Sequence, residues 1–243
     1  MSTTVTKIHF KTVSSTNTWV KQNYSQLDVN KITRVTASYQ TEGRGQFNRS
    51  WVSPKDLNIY VTYFFTLSKT SHNLCNLAQL LSLSITKLLQ SHSLSPKIKW
   101  PNDVLIGQKK IAGVLCETVD LKSDYGIILG AGINVNMERK LLSQIDQPAT
   151  SLQNETGTTY SLTSLLDQLD LLFTKDLSLY KSEGFTPFYA AYNLLLAHKG
   201  KLIKLHQQGK VLEGTLDSLS PDGRLNIRLL NGDIQTVNSG EIK

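Results

Sequence analysis

"KIKWPNDVLIGQKKIAGVLCETVDLKSDYGIILGAGINVN", residues 97 to 136, decides the fold. It breaks into four runs of strand length: "KIKW" (97–100), "DVLI" (103–106), "KKIAGVLCETV" (109–119) and "YGIILGAGINVN" (125–136). Gly107 and Gln108 are the only residues between the second and third, which suits a two-residue hairpin. Working toward the N-terminus, "LNIYVTYFF" (57–65) and the alternating, β-branched "ITRVTASYQ" (32–40) read as strands, as does "KIHFKTV" (7–13). Between them, "SSTNTWVKQNY" (14–24) reads as a helix start, with Ser14, Ser15 or Thr16 placed to cap its first turn. Apolar residues at 74, 77, 78, 81, 85, 88 and 89 repeat with a helical period and predict an amphipathic helix.

Toward the C-terminus, Leu162, Leu165, Leu166, Leu169, Leu172 and Phe173 predict a helix over 161–181. A further helix is expected with Thr186 as its N-cap, Pro187 in its first turn and Gly200 as its stop. Beyond Gly200 the pattern becomes short strands broken by "QQG", "SPDG" and "NGD", the spacing of a small antiparallel barrel. The reading is therefore two domains, 1–199 and 200–243.

The 243 residues are 40% hydrophobic and 19% charged, an ordinary globular composition with room for one large core and a satellite domain. No apolar run approaches the roughly 20 residues needed to cross a bilayer, and "MSTTVTKIHF" has no signal-peptide core. A cytoplasmic, soluble protein is expected, without membrane attachment. Cys75 and Cys116 have no CxxC partner and read as reduced, packed thiols. The histidines at 9, 72, 92, 198 and 206 lack metal spacing and are assigned no role. A net charge of +7 suits an anionic small molecule, an acidic protein or nucleic acid, but without a run of five basic residues it also describes a plain solvated surface.

Three stretches can carry chemistry. In "TEGRGQFNRSW" (41–51), Gly43 and Gly45 allow close backbone approach while Arg44 and Arg49 can hold a carboxylate or phosphate. A surface turn with solvated arginines has the same composition. In "KWPNDVLIGQKKIAG" (99–113), Asn102 and Asp103 place a carbonyl and a carboxylate at one corner, and the hairpin returns Lys109 and Lys110 toward it. Such a carboxylate can hold Mg²⁺ on ATP phosphates and such a lysine can neutralise developing charge; an Asx turn beside an exposed lysine pair is the alternative. In "GAGINVN" (130–136) the glycines admit a planar ring or merely tight strand packing.

Taken in order, "SSTN", "SYQTEGRG…NRSW", "KWPNDV", "KKIAGVLCE", "GAGINVN" and the terminal "SGEI" resemble the biotin protein ligases, or biotin–[acetyl-CoA-carboxylase] ligases, across nearly the whole chain. The resemblance implies an α+β, class II synthetase-like catalytic domain, a mixed β-sheet with flanking helices, followed by a small SH3-like barrel. It implies the short, monofunctional form without an N-terminal DNA-binding segment, and a monomer or weak homodimer. It further implies that biotin and ATP are joined as biotinyl-5′-AMP, with release of pyrophosphate, and that biotin then passes to a lysine of a biotin carboxyl carrier protein.

By the same resemblance, Ser15, Thr16, Asn17, Gln40, Gly43, Arg44, Gly45, Trp51, Lys110 and Gly113 would bind biotin. Arg44, Arg49, Trp51, Asn102, Asp103, Lys110 and Asn134 would bind ATP, with Asn134 reading adenine and Asp103 holding Mg²⁺ through the phosphates. Arg44 would meet the carboxylate and phosphate, and Lys110, with Arg44, would be catalytic while Lys109 is solvated. Where many members read Gly-Arg-Gly-Arg, position 46 is Gln, so one positive charge near the adenylate is missing. Two other functions fit parts of the pattern: a lipoate or octanoate ligase of the same superfamily, and a non-enzymatic basic binding module.

Overall fold

The computed structural model describes residues 5–70, 74–207 and 209–243; His72 and Gln208 of the "QQG" turn lie outside them. The chain opens with β1 (Val5–Phe10), α1 (Thr16–Asn23), β2 (Ile32–Ala37) and β3 (Ile59–Ser68). Helix α2 (Asn76–Ser91) leads into β4 (Pro96–Lys99), β5 (Asp103–Ile106), β6 (Lys109–Leu121) and β7 (Asp124–Ile133). Four helices follow: α3 (Arg139–Leu142), α4 (Leu152–Thr156), α5 (Leu162–Glu183) and α6 (Thr186–Leu195). The chain closes with β8 (Leu202–Gln207), β9 (Lys210–Leu219), β10 (Leu225–Arg228), β11 (Ile234–Val237) and β12 (Glu241–Ile242).

The first seven strands form one mixed sheet in the order β1-β2-β3-β7-β6-β5-β4, parallel only between β1 and β2. Strand alternation assigns its two faces. Ile59, Val61, Tyr63, Phe65 and Leu67 of β3, with Ile127, Leu129, Ala131 and Ile133 of β7, join the main core, where α2, α5 and α6 also pack. On the opposite face Val20 of α1 meets Val35, Phe64 and Ile128 in a smaller cluster. Farther along that second face glycines enter the cross-strand rows: Thr62, Gly130 and Leu115 in one row, Tyr60, Gly132, Gly113 and Asp103 in the next. The missing side chains at Gly113, Gly130 and Gly132 leave a cleft there.

Helix α2 is buried on nearly every side rather than along one stripe. Its polar residues tolerate this because they bond inward, Ser82 to the Ala78 carbonyl and Ser84 to Asp176, so no hydroxyl is stranded. Ser15 occupies the N-cap position of α1, but its side chain makes no capping bond. Helix α6 starts one residue earlier than expected, with Phe185 at the N-cap. It ends at Leu195, before Gly200, because the chain there joins edge strand β4: Leu196 bridges Ile98, and the Ala197 N–H donates to the Ile98 carbonyl at 2.8 Å. The cysteines form no disulfide. Burial pushes the Cys116 thiol up to about 12, whereas Cys75 is exposed rather than packed.

The last five strands form an antiparallel sheet in the open order β11-β10-β9-β8-β12. Its apolar side chains, among them Ile203, Leu205, Leu216 and Ile227, belong to the same core cluster as α2 and the mixed sheet. Its 220–223 turn is held by three side chains of the N-terminal part. Asn76 Nδ2 donates to the Asp222 carbonyl at 2.9 Å, and Gln79 Nε2 and Trp100 Nε1 donate to the Gly223 carbonyl at 2.7 and 3.1 Å.

Candidate active site

The cleft lies on the α1 face of the mixed sheet, with about 960 Å³ of free space including its mouth. One end is a buried network of amides and hydroxyls. Gln40 Oε1 accepts from the Thr16 backbone N–H at 2.9 Å and from its hydroxyl at 3.2 Å, and Gln40 Nε2 donates to Ser53 Oγ at 3.0 Å. The Thr62 hydroxyl stands 2.8 Å from Thr16 Oγ1 and 2.6 Å from Asn17 Oδ1, and its single proton serves one of them at a time. Ser15, Thr16, Asn17 and Gln40 are all buried, so an entering ligand must match their donors and acceptors or leave them unpaired.

Asn17 is positioned from behind. Its Nδ2 donates to the Leu115 carbonyl at 3.3 Å and to Glu117 Oε2 at 3.2 Å. Glu117, on β6, also receives Lys21 at 3.2 Å and both terminal nitrogens of Arg44 at 3.2 Å each. Burial opposes its ionisation, but the Asn17 and Lys21 hydrogen bonds and the Arg44 charge outweigh it and hold the carboxyl below the ordinary glutamate value.

The other end is cationic. Lys110 Nζ is 2.7 Å from Asp103 Oδ1 and 5.3 Å from the Trp51 ring centre. A β-bulge brings it there: the β5–β6 register shifts between Val104 and Leu105, so that Ile111 and Ala112 both turn into the core and Lys110 emerges on the cleft face with Gly113. Trp51 lies in a slot that only glycines can provide. A Cβ on Gly132 would fall 2.3 Å from Trp51 Cε2, and one on Gly113 would fall 2.9 Å from Lys110 Cε. The Trp51 indole N–H is buried without a partner.

Residues 38–58 arch over the cleft between β2 and β3. The arch folds on itself, with Gly45 N–H donating to the Arg49 carbonyl and Trp51 N–H to the Gly43 carbonyl, both at 2.8 Å. Gly43 must be glycine, because a Cβ would sit 2.4 Å from the Trp51 carbonyl oxygen. Arg49 forms a two-pronged pair with Glu241 of β12 at 2.6 and 2.7 Å, so β12 lines the cleft together with Gly240 and Ile242.

The structure thus brings together Ser15, Thr16, Asn17, Gln40, Arg44, Gly45, Arg49, Trp51, Asn102, Asp103, Lys110 and Gly113 on one cleft, with Gly43 supporting its arch. Asn134 lines an adjoining pocket with Ile145, Asp146, Gln147 and Ala149. Two side chains are spoken for by the protein: Asn102 Nδ2 donates to the Val114 carbonyl at 2.5 Å, and Asn134 Nδ2 to the Thr150 carbonyl at 3.0 Å. Arg44 turns toward Glu117, beside Asn17, and not toward Lys110. Sequence reasoning missed Glu117, Glu241 and the 145–149 loop, although "LCE" and "SGEI" stood within the quoted motifs.

Fold and cleft together define an α+β protein whose cleft is lined by buried amides and hydroxyls at one end and by the Lys110–Asp103 and Arg49–Glu241 pairs at the other. The chain belongs to the biotin/lipoate A/B protein ligase family, whose model matches residues 9–134. Biotin protein ligase from Aquifex aeolicus in complex with biotin and ATP superposes with a TM-score of 0.85 at 30% identity, covering 98% of this chain and 97% of that one. The bifunctional ligase/repressor BirA of Escherichia coli is 28% identical over 232 residues, 95% of this chain and 71% of that protein. The biotin–[acetyl-CoA-carboxylase] ligase of Paracoccus denitrificans is 27% identical over 202 residues, covering 80% of this chain and 83% of that protein.

Proposed function

We propose that the chain is an ATP-dependent biotin protein ligase that activates biotin as biotinyl-5′-AMP and passes it to a lysine of a biotin carboxyl carrier protein. The observation that carries this reading is the polarity of the cleft. A urea ring has donors and acceptors on one rim, which the Thr16, Asn17 and Gln40 network can meet, while the Lys110 end suits a carboxylate.

A carboxylate is a poor acyl electrophile, and adenylation supplies the leaving group. A carboxylate oxygen attacks the α-phosphorus of ATP, a C–O–P anhydride forms and pyrophosphate departs. Lys110 and Arg49 offset the negative charge that gathers at that end, and Trp51 covers it as an apolar wall. The carrier lysine amine then attacks the acyl carbon and AMP leaves. Asp103, beside Lys110, is the carboxylate that would touch Mg²⁺ arriving on the phosphates. Asn134, tied to Thr150 and Asn58, borders the adjoining pocket that we assign to adenosine. We read the C-terminal sheet as the SH3-like unit and 200–243 as its extent.

The test is biotin-dependent exchange of labelled pyrophosphate into ATP, without carrier. Wild type should exchange, Lys110→Ala should lose at least about a hundredfold, and the exposed Lys109→Ala should lose little. Exchange supported by lipoate or octanoate and not by biotin would replace the substrate; equal losses in both variants would remove the role given to Lys110.

A further inference from the structure

We infer that Arg44 and Glu117 act as a single strut that positions the ring-binding end of the cleft, with Glu117 a positioning residue for substrate although it does not line the cavity. The inference rests on the biotin reading above and assigns Arg44 a different task from that of an anion ligand.

Two observations separate Arg44 from the anionic end. Both terminal nitrogens of its guanidinium form a fork-to-fork pair, beside Asn17, with a carboxylate whose side chain is only 14% exposed. That carboxylate stands four residues beyond Gly113 along β6, roughly 13 Å at the rise of a strand, and it is against Gly113 that Lys110 packs. The arch is therefore pinned at two places by arginines of opposite direction, Arg44 to β6 and Arg49 to β12.

Glu117 also fixes which way Asn17 faces. With Nδ2 drawn to Glu117 and the Leu115 carbonyl, Oδ1 is left toward Thr62, in the space above Gly130. Loss of the Glu117 carboxylate frees the Asn17 amide to turn and lets Arg44 swing off β6, taking with it the support of Gly43 and Gly45 against the ring end. Such a change weakens the hold on the ring while leaving the nucleotide end, where Lys110 and Arg49 have their own partners, as it was.

The experiment is a double-mutant cycle with Glu117→Ala and Arg44→Ala, read as KM for biotin and KM for ATP in pyrophosphate exchange, with calorimetric biotin binding in the absence of ATP. Each single variant should raise the biotin KM about tenfold, the double variant no more than either, and the ATP KM should stay within about twofold. Glu117→Gln, which keeps an acceptor for Asn17 without the charge, should fall between, and it serves as the test if Glu117→Ala does not fold. Multiplying effects in the double variant, or equal rises in both KM values, would overturn the strut. Wild-type exchange that does not depend on biotin would instead overturn the reading beneath it.

Discussion

Asn17 stands where it does because position 130 has no side chain. An alanine Cβ there would lie 2.0 Å from Asn17 Oδ1, and Asn17 is held by Leu115, Glu117 and Thr62 and has no easy retreat. Gly130→Ala should therefore cost biotin affinity at least about tenfold while the protein stays folded, since a single added methyl in a tight site costs about 1–3 kcal/mol. Calorimetric titration with biotin checks this; wild-type affinity would mean that Asn17 does not touch the ligand. Residue identities were the most legible part of the site, because the motifs carry them in order. Orientations were not. Spacing alone leaves Lys109 and Lys110 equal and only the family resemblance singles out Lys110; the bulge that turns Lys110 onto the cleft face is announced by no residue type. The partner of the Arg44 guanidinium cannot be seen without the fold, and Glu117 escaped notice because it alternates with Cys116 in what looked like an apolar strand.

Elements were legible where periodicity alone sets them. The strands of the mixed sheet and helices α2 and α5 follow their apolar patterns, α1 and α6 were marked by their capping residues, and the short α3 and α4 carry too few residues for a period to show. Helix α2 looked amphipathic because its serines and threonines count as polar, yet the fold buries them by satisfying their hydroxyls within the helix. The 220–223 turn was legible as a turn, but its task was not. Gly223 sits at φ +81°, and a Cβ would meet Asn76 Nδ2 at 2.2 Å and Gln79 Oε1 at 2.4 Å. Gly223→Ala combines left-handed backbone with a clash against buried amides, so a loss of about 2–4 kcal/mol is expected. Urea midpoints measure it, and a change below about 0.5 kcal/mol would show that the turn is not seated as described.

At the scale of the whole molecule, the break in pattern near residue 199 marks a change of architecture but not a seam in the core. Ile203, Leu205, Leu216, Leu219, Leu225 and Ile227 lie in one apolar cluster with Leu77, Leu80 and Trp100. The Asn76, Gln79 and Trp100 side chains spend donors on the 220–223 turn, and Arg49 spends its fork on Glu241. A chain ending at Lys199 would expose that apolar face to water and exchange the three seated hydrogen bonds for bonds to solvent, at about 25 cal/mol for each Å² of apolar surface uncovered. Against a total stability of about 5–15 kcal/mol, these losses are enough to unfold the remainder. The 1–199 fragment is therefore expected to lack a cooperative thermal transition at 25 °C or above and to support no biotin-dependent exchange. Calorimetry and the exchange assay, run beside the full chain, decide it. A fragment that melts cooperatively near the full chain's Tm would make the two sheets independent domains, and would leave the Arg49–Glu241 pair and the seated turn as contacts of little energetic consequence.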